Sequence, residues 1–277
     1  MNSEVKRSFP SLNFLLFYIK NVKVRKSVDG ISDAQDIVVR ETRGKYNLES
    51  LKDVDIFRKY RDFFSRIGVD PTKNRPAAEA LVRRILIGKP IPCINSVVDS
   101  YNLASIESEI AIAAFDEEKV EGDLTFRFAT KGENFQGIGM TDAMTLNGGE
   151  VVIIDTKKII AVYPYRDSDD TKITNQTTNL LLIACGAPGI PNESLELCRK
   201  ISLEYIKWNE SMYKEVVTTD IVIIPYLNDH KRLVKSYNRI TDSINLGRFT
   251  IISDLDHLRE FNNFCFLGGI GRGLKWS

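Results

Sequence analysis

The strongest constraint on the fold is a run of five apolar residues at positions 180–184, which places no polar side chain on either face of a strand. A strand of this kind must be covered on both sides, so it predicts a fully buried position in a sheet. The glycine- and proline-rich stretch 186–191 then breaks the chain. Asn192 can cap a helix that we expect to run to about Trp208. This order predicts a layered fold with helices packed on a sheet.

Apolar spacing predicts the other elements. Helical spacing is present over residues 51–68, ending at Gly68, and from Pro76 to Gly88. Strand patterns are predicted at 11–24 (a strand pair), 37–39, 124–128, 151–155 and 159–163. We therefore expect an α/β (α+β) fold, with mixed sheets and peripheral helices over residues 1–215.

Residues 216–277 predict a small C-terminal α/β extension of unassigned role. Strand patterns occur at 216–224 and 244–252, and helix patterns occur at 230–237 and 255–261. The glycine-rich stretch 268–273 is interpreted as a flexible or turn-rich terminus. The alternative is a loop whose backbone N–H groups bind an anion.

The overall charge gives no indication of a nucleic-acid ligand, because 38 basic and 37 acidic residues leave a formal net charge of +1. Residues 51–90 differ, with ten Lys and Arg against five Asp and Glu. Two interpretations stay open: a solvated helical face, or a surface that contacts RNA phosphates. The candidates for RNA contact are Arg75, Arg83, Arg84 and Lys172.

Several classes of protein are disfavoured. Four widely spaced cysteines, no CxxC pair and two histidines argue against a zinc site or a disulfide framework, and predict free thiols in a reducing cytoplasm. The apolar run 14–18 is too short to span a membrane, and we interpret it as a core strand. No Walker or dinucleotide motif is present, and no Ser-His-Asp order is compelling. We therefore expect no cofactor, no metal, no membrane and no DNA partner.

Two polar clusters are candidate binding residues. Asn95, Asp99 and Asn102 have spacings of four and three, which suit one face of a helix or a compact turn. They either bond locally to the backbone or line a pocket for an amino acid or a terminal adenosine. Further along, Arg166 and Lys172 would hold a phosphate or a carboxylate.

In this second cluster, Asp167 would fix Arg166, and Thr174 is a further pocket candidate. The alternative interpretation of this cluster is a charged surface loop. The arginine at 127 faces away from its aromatic strand neighbours, and we interpret it as a partner in an ion pair or as a binding group.

The order of these polar segments resembles the tRNA-editing domain of bacterial phenylalanyl-tRNA synthetase beta subunits, built from the third and fourth B modules. The resemblance covers roughly residues 8–215. Its motifs lie at 61–68, 79–84, 95–102, 113–116, 121–127, 131–133, 148–155 and 171–177. It implies a stand-alone relative that binds tRNA and hydrolyses wrongly charged tRNA, with water as the nucleophile. In that family the error removed is tyrosine on phenylalanine tRNA, which a phenylalanine pocket rejects poorly.

This chain departs from the bacterial pattern at three positions. Ala113 stands where the family places an editing-site histidine, Ile183 where it places a glutamate, and Pro92 where it places an arginine. All three changes remove polar chemistry. Three hypotheses therefore stay open: a trans-acting deacylase, a non-catalytic tRNA- or RNA-binding adaptor, and a small-molecule binder or enzyme on the same fold. The sequence does not specify the tRNA, the amino acid or the oligomeric state.

Overall fold

The computed structural model describes residues 1–26, 30–211 and 221–224, with side chains described over 1–26 and 33–207. The helices are α1 (Ser3–Ser8), α2 (Gly30–Lys45), α3 (Asp55–Arg66), α4 (Ala77–Leu86), α5 (Ser96–Ser108) and α6 (Asn192–Ser211). The strands are β1 (Phe14–Ile19), β2 (Ala111–Asp116), β3 (Thr125–Phe128), β4 (Asn134–Phe135), β5 (Met144–Thr145), β6 (Val151–Ile154), β7 (Ile159–Val162), β8 (Arg166–Asp167), β9 (Leu180–Cys185) and β10 (Ile221–Ile224). Short 3-10 turns lie at Leu51–Asp53 and Glu117–Lys119.

The described strands form three antiparallel sheets. The first has the order β10-β1-β9-β2, the second β3-β6-β7-β8, and the third pairs β4 with β5. In the first sheet, β9 lies between β1 and β2, and all six of its residues are buried. This confirms the prediction from the apolar run at 180–184. Helices α5 and α6 pack on each other, α6 also contacts β1 and β9, and α5 contacts β2.

The predicted fold class, a mixture of helices and sheets, is confirmed. Helices α3 and α4 lie where the apolar spacing predicted them, and the chain leaves them through Gly68 and Gly88, whose φ angles are +78° and +76°. These left-handed conformations favour glycine, which explains the two helix ends. The hairpin predicted around residue 157 is formed by β6 and β7.

The strand prediction at 37–39 is wrong, because these residues lie inside α2. Val38 is buried in a small core with Val82 and Ile85 of α4, whereas Ile37 is 46% exposed. Packing one face of a helix against α4 and α5 therefore outweighs the β preference of branched side chains. The strand pair predicted at 11–24 is a single strand, β1, followed by an irregular segment with buried Val22 and Val24.

Strand β10 pairs with β1, in a register that places Leu16 opposite Ile224. It lies in the segment predicted as a C-terminal extension, and it joins the sheet of the larger segment. The division of the chain at residue 215 stays a prediction. The other elements predicted for 225–277, the glycine-rich stretch, His230 and His257 lie outside the described residues.

Aromatic side chains of the main core anchor α3 to the first sheet and link the first sheet to the second. Tyr60 is fully buried, donates its hydroxyl to the Cys185 carbonyl and accepts from the Ala111 N–H at 3.1 Å. Phe14 stacks on Phe126 at 4.1 Å between ring centroids, which links β1 to β3. In the same core region, β8 of the second sheet lies beside β2 of the first. No helix within the described ranges is long and apolar enough to cross a membrane.

Candidate functional site

The candidate site lies at the seam between the two larger sheets, where the segment 166–171 runs along the outer edge of β2. Oδ2 of Asp167 accepts from the Ala114 N–H at 3.0 Å. Further along β2, the Asp116 N–H donates to the Thr171 carbonyl at 2.8 Å. Two N–H groups at this edge of the first sheet are therefore satisfied by one side chain and one carbonyl of the segment.

The carboxyl group of Asp167 lies in surroundings that favour its neutral form. Burial raises the pKa of Asp167 to about 7, and the hydrogen bond from the Ala114 N–H offsets only part of that shift. Asp167 forms no salt bridge in the described part of the chain. Oδ1 forms no hydrogen bond in the described part of the chain. It is not fully enclosed by protein atoms, so it reaches solvent.

Two neighbouring groups respond to the Asp167 carboxyl. Burial, and then the charges of Asp167 and Asp99, raise the pKa of Tyr101. Burial, and then the charge of Asp167, raise the pKa of the Cys185 thiol. The seam therefore brings together groups from α5, β8 and β9 that all favour their neutral forms.

Arg166 is held beside Asp167 but takes different partners. Its Nη1 donates to the Ile138 carbonyl at 2.9 Å, and its guanidinium lies 5.2 Å from the Tyr165 ring centroid. The expectation that Asp167 fixes Arg166 is wrong, because adjacent residues of a strand point to opposite sides. The side chain of Arg166 passes close over Gly137, where a Cβ would lie 2.3 Å from Cδ. A larger residue at 137 would therefore displace it.

Two buried polar atoms of this segment have no hydrogen-bond partner among the described residues. They are Nε of Arg166 and Oγ1 of Thr171, and Thr171 is fully buried. Leaving such a donor without a partner costs free energy, so it is rare unless a ligand or water completes it. The seam thus holds a carboxyl group and two uncommitted polar groups on six consecutive residues.

The polar cluster near α5 is divided between structural and candidate roles. Asn95 is the N-cap of α5, since its side chain accepts from the N–H groups of Val97 and Val98 at 3.2 and 2.9 Å. Asp99 is fully buried and accepts from the Ile94 N–H at 2.8 Å. Asn102 is half-buried on the same helix. Of the two interpretations of Asn95, its contacts are those of local backbone bonding.

Thr174 and Lys172 build the turn that returns to β9. The Thr174 N–H donates to the Thr177 hydroxyl at 2.9 Å, and that hydroxyl donates to Asp116 Oδ2 at 2.8 Å. Lys172 pairs with Asp169 at 2.7 Å. Binding roles for Thr174 and Lys172 stay predictions. Both side chains already have protein partners, Gln176 for Thr174 and Asp169 for Lys172.

Two of the positions that depart from the bacterial pattern are direct neighbours. Ala113 of β2 lies opposite Ile183 of β9, and the two are 6% and 0% exposed. Asp167 bonds to the very next residue of β2, Ala114. The seam therefore places a titratable carboxyl one residue from an apolar cross-strand pair. Pro92 is half-buried and precedes α5.

The basic residues of α3 and α4 fall into two groups. Arg61 forms a bidentate pair with buried Glu79, at 2.8 and 2.5 Å, and Arg75 lies 3.9 Å from the same carboxylate. Arg83 and Arg84 lie in the last turn of α4, and Nε of Arg84 donates to the Pro90 carbonyl. Within the described ranges, neither has a carboxylate partner.

Arg127 of β3 forms a bidentate pair with Glu133, at 2.8 and 2.6 Å, so the ion-pair interpretation of Arg127 is confirmed.

Sequence reasoning missed three contributors to the seam. Tyr101 lies between Asp99 and Asn102, so its position beside two polar candidates was the signal that could have found it. Thr171 begins the motif 171–177, but nothing in that motif indicated its contact with β2. Gly137 carries no sequence signal, because its role depends on contact with Arg166. Among the described residues, no group of three or more His, Cys, Asp or Glu could hold a metal ion.

A model of the B3/4 domain matches residues 59–200, which is just over half of the chain and includes the whole seam. The chain therefore belongs to the B3/4 domain family.

Curated relatives extend this result. The chain is 33% identical over 129 residues to the phenylalanine--tRNA ligase beta subunit of Fusobacterium nucleatum, covering 46% of this chain and 15% of the relative. It is 32% identical over 111 residues to the beta subunit of Nitrobacter winogradskyi, covering 40% and 13%. The chain thus matches a small part of each relative's length.

A solved structure also matches, that of an N-terminal fragment of the phenylalanyl-tRNA synthetase beta subunit from Pyrococcus horikoshii. The match covers 88% of this chain and 59% of that chain, with 14% identity and a TM-score of 0.41.

Proposed function

We propose that this B3/4 domain protein binds tRNA and hydrolyses a mischarged aminoacyl-tRNA in trans. The observation that carries the proposal is the pair of buried, unpartnered atoms on Arg166 and Thr171 beside the Asp167 carboxyl. An aminoacyl ester offers acceptor oxygens for Arg166, and Thr171 can donate or accept. The relatives that match this region are subunits of a tRNA ligase, which supports tRNA as the partner.

The decisive experiment is deacylation of a panel of mischarged tRNAs, beginning with tyrosine on phenylalanine tRNA, at catalytic protein concentration. Multiple turnovers on one member would support the deacylase and name its substrate. Arg166→Ala should then lose activity, whereas Arg58→Ala should not, because Arg58 is an exposed residue of α3 paired with Asp55. Unchanged activity and tRNA affinity in Arg166→Ala would contradict this site.

A second candidate is a non-catalytic tRNA-binding adaptor. The apolar pair of Ala113 and Ile183 favours it, because neither side chain can take part in proton transfer or polar recognition. Salt-dependent tRNA binding with no hydrolysis across the panel would favour the adaptor. If the chain neither binds nor hydrolyses any tRNA of the panel, a small-molecule ligand would be favoured. A cytoplasmic location stays a prediction, in keeping with the free thiols of Cys93, Cys185 and Cys198.

We expect Arg83 and Arg84 to contact RNA phosphates more strongly than Arg75 and Lys172, which already lie beside carboxylates. Arg83→Gln should weaken tRNA binding and reduce the slope of log K against log salt by about 1. The measurement is a salt titration of tRNA binding. Arg58→Gln is the matched control, and an equal loss in both variants would show only a general effect of charge.

A further inference from the structure

We propose that Asp167 is the general base that activates the hydrolytic water. This inference rests on the proposed hydrolase function and adds to it the group that takes the proton. Its physical basis is the unequal environment of the two carboxylate oxygens.

One oxygen of Asp167 is fixed and the other is open. Oδ2 accepts from the Ala114 N–H at 3.0 Å, a donor fixed in β2. Oδ1 has no partner in the described part of the chain and reaches solvent. A general base needs this combination, because its orientation must be held while one oxygen stays available for a water molecule.

The charged and titratable neighbours of Asp167 do not neutralise it. Tyr101 of α5 and Cys185 of β9 stay neutral near pH 7, since burial and the Asp167 charge raise the pKa of each. Asp99, also on α5, adds negative charge beside Tyr101. Arg166 turns towards the Ile138 carbonyl. Asp167 therefore keeps a higher proton affinity than a carboxylate held in an ion pair, and its pKa of about 7 suits a base near neutral pH.

The seam also offers groups to place the ester. Nε of Arg166 and Oγ1 of Thr171 are uncommitted donors on the same short segment. Ala113 and Ile183 present no competing base one residue from the anchor point of Asp167. The carboxyl group therefore supplies at this place the acid–base chemistry that the apolar pair lacks.

The proposed step is a hydrolysis that needs no additional reactant. Oδ1 of Asp167 takes a proton from water, and the water oxygen forms a bond to the ester carbonyl carbon. The tetrahedral intermediate then breaks its bond to the ribose oxygen, which receives the proton. The products are the free amino acid and a tRNA with a free terminal hydroxyl group.

The test compares Asp167→Asn with the wild-type chain on the substrate found by the panel. The amide oxygen of asparagine still accepts from the Ala114 N–H, so the fold should be kept. We expect kcat to fall on the order of 100-fold, with KM and the tRNA Kd unchanged. The wild-type kcat should fall as pH drops through about 7, because the base becomes protonated, and the residual rate of Asp167→Asn should lack this inflection. Asp170→Asn, an exposed carboxylate three residues away, should keep both the rate and the pH profile.

Three results would overturn the proposal, and they differ in what else they remove. If the wild-type chain turns over a substrate and Asp167→Asn keeps its rate and pH profile, Asp167 is not the base, and the deacylase function stands. If the wild-type chain hydrolyses no member of the panel, both the base and the deacylase function fail. A loss of tRNA affinity in Asp167→Asn with kcat unchanged would assign the residue to binding and also overturn the proposal.

Discussion

Asp167→Asn is expected to raise the free energy of unfolding at pH 8 by about 2 kcal/mol relative to the wild-type chain, and to leave it unchanged near pH 3. The reason is that burial raises the pKa of Asp167 in the folded state from an ordinary value of 3.8 to about 7. One pKa unit corresponds to about 1.4 kcal/mol, so the full shift would correspond to about 4 kcal/mol. We expect roughly half of this, because Asp167 is half-buried and Oδ1 reaches water.

The direction follows from proton binding in the two states. Between about pH 4 and pH 7 the folded chain holds a proton on Asp167 that the unfolded chain has released, so wild-type stability falls as pH rises through this window. Above pH 7 the carboxylate is charged in both states, and its burial is a constant cost. Asparagine does not titrate, so the difference between the two proteins should rise from zero to a plateau.

The measurement is urea denaturation of both proteins at a series of pH values. Tyr101 and Cys185 respond to the charge of Asp167, but their raised pKa values keep both neutral near pH 7 and below. Across the window from about pH 4 to pH 7 the difference therefore isolates Asp167. Asp170→Asn is the control and should change the free energy of unfolding little, because Asp170 is exposed. A flat difference for Asp167→Asn would show that the carboxyl group titrates as it does in the unfolded chain. A variant that is more stable and less active would be the trade-off expected of a destabilised functional group.

Glu79→Ala is expected to lower the free energy of unfolding by about 2–3 kcal/mol. Glu79 is 2% exposed and forms a bidentate pair with Arg61, and this hydrogen bonding raises the pKa of Arg61. Removing the carboxylate leaves the partly buried guanidinium of Arg61 without its partner. The positive charge of Arg75, which lies beside the same carboxylate, is then no longer compensated there either. The loss is smaller than for a fully buried pair because the side chain of Arg61 keeps 19% of its surface exposed. Urea denaturation at neutral pH measures it.

Asp55→Ala on α3 is the control for this pair. Asp55 also bonds two basic residues, Arg58 and Lys59, but its side chain is 60% exposed. An exposed ion pair contributes little, so its loss should be clearly smaller. Equal losses of the free energy of unfolding in the two variants would show that the buried pair between α3 and α4 stabilises the fold no more than an exposed ion pair does. In the double variant Arg61→Leu/Glu79→Leu, part of the stability should return, because no unpaired charge stays buried.

The local pattern of the sequence determined the elements with a clear period or an uninterrupted apolar run. The run at 180–184 predicted the buried strand β9, and apolar spacing predicted α3 and α4 with their glycine ends. Each of these depends on neighbours three or four residues away or on a strand whose two faces are both apolar. The polar series from 95 to 177 predicted the family, which the match over 59–200 confirms at the level of the B3/4 domain.

Only the tertiary structure decided which polar residues share a site. The hydrogen bond from the Ala114 N–H to Asp167 joins residues 53 apart in the sequence. Ala113 and Ile183 lie opposite each other because β2 pairs with β9. It also decided that Asn95 caps α5 and that residues 37–39 are helical. In each case the outcome depends on which distant groups bury or satisfy the residue, and local periodicity carries no information about those partners.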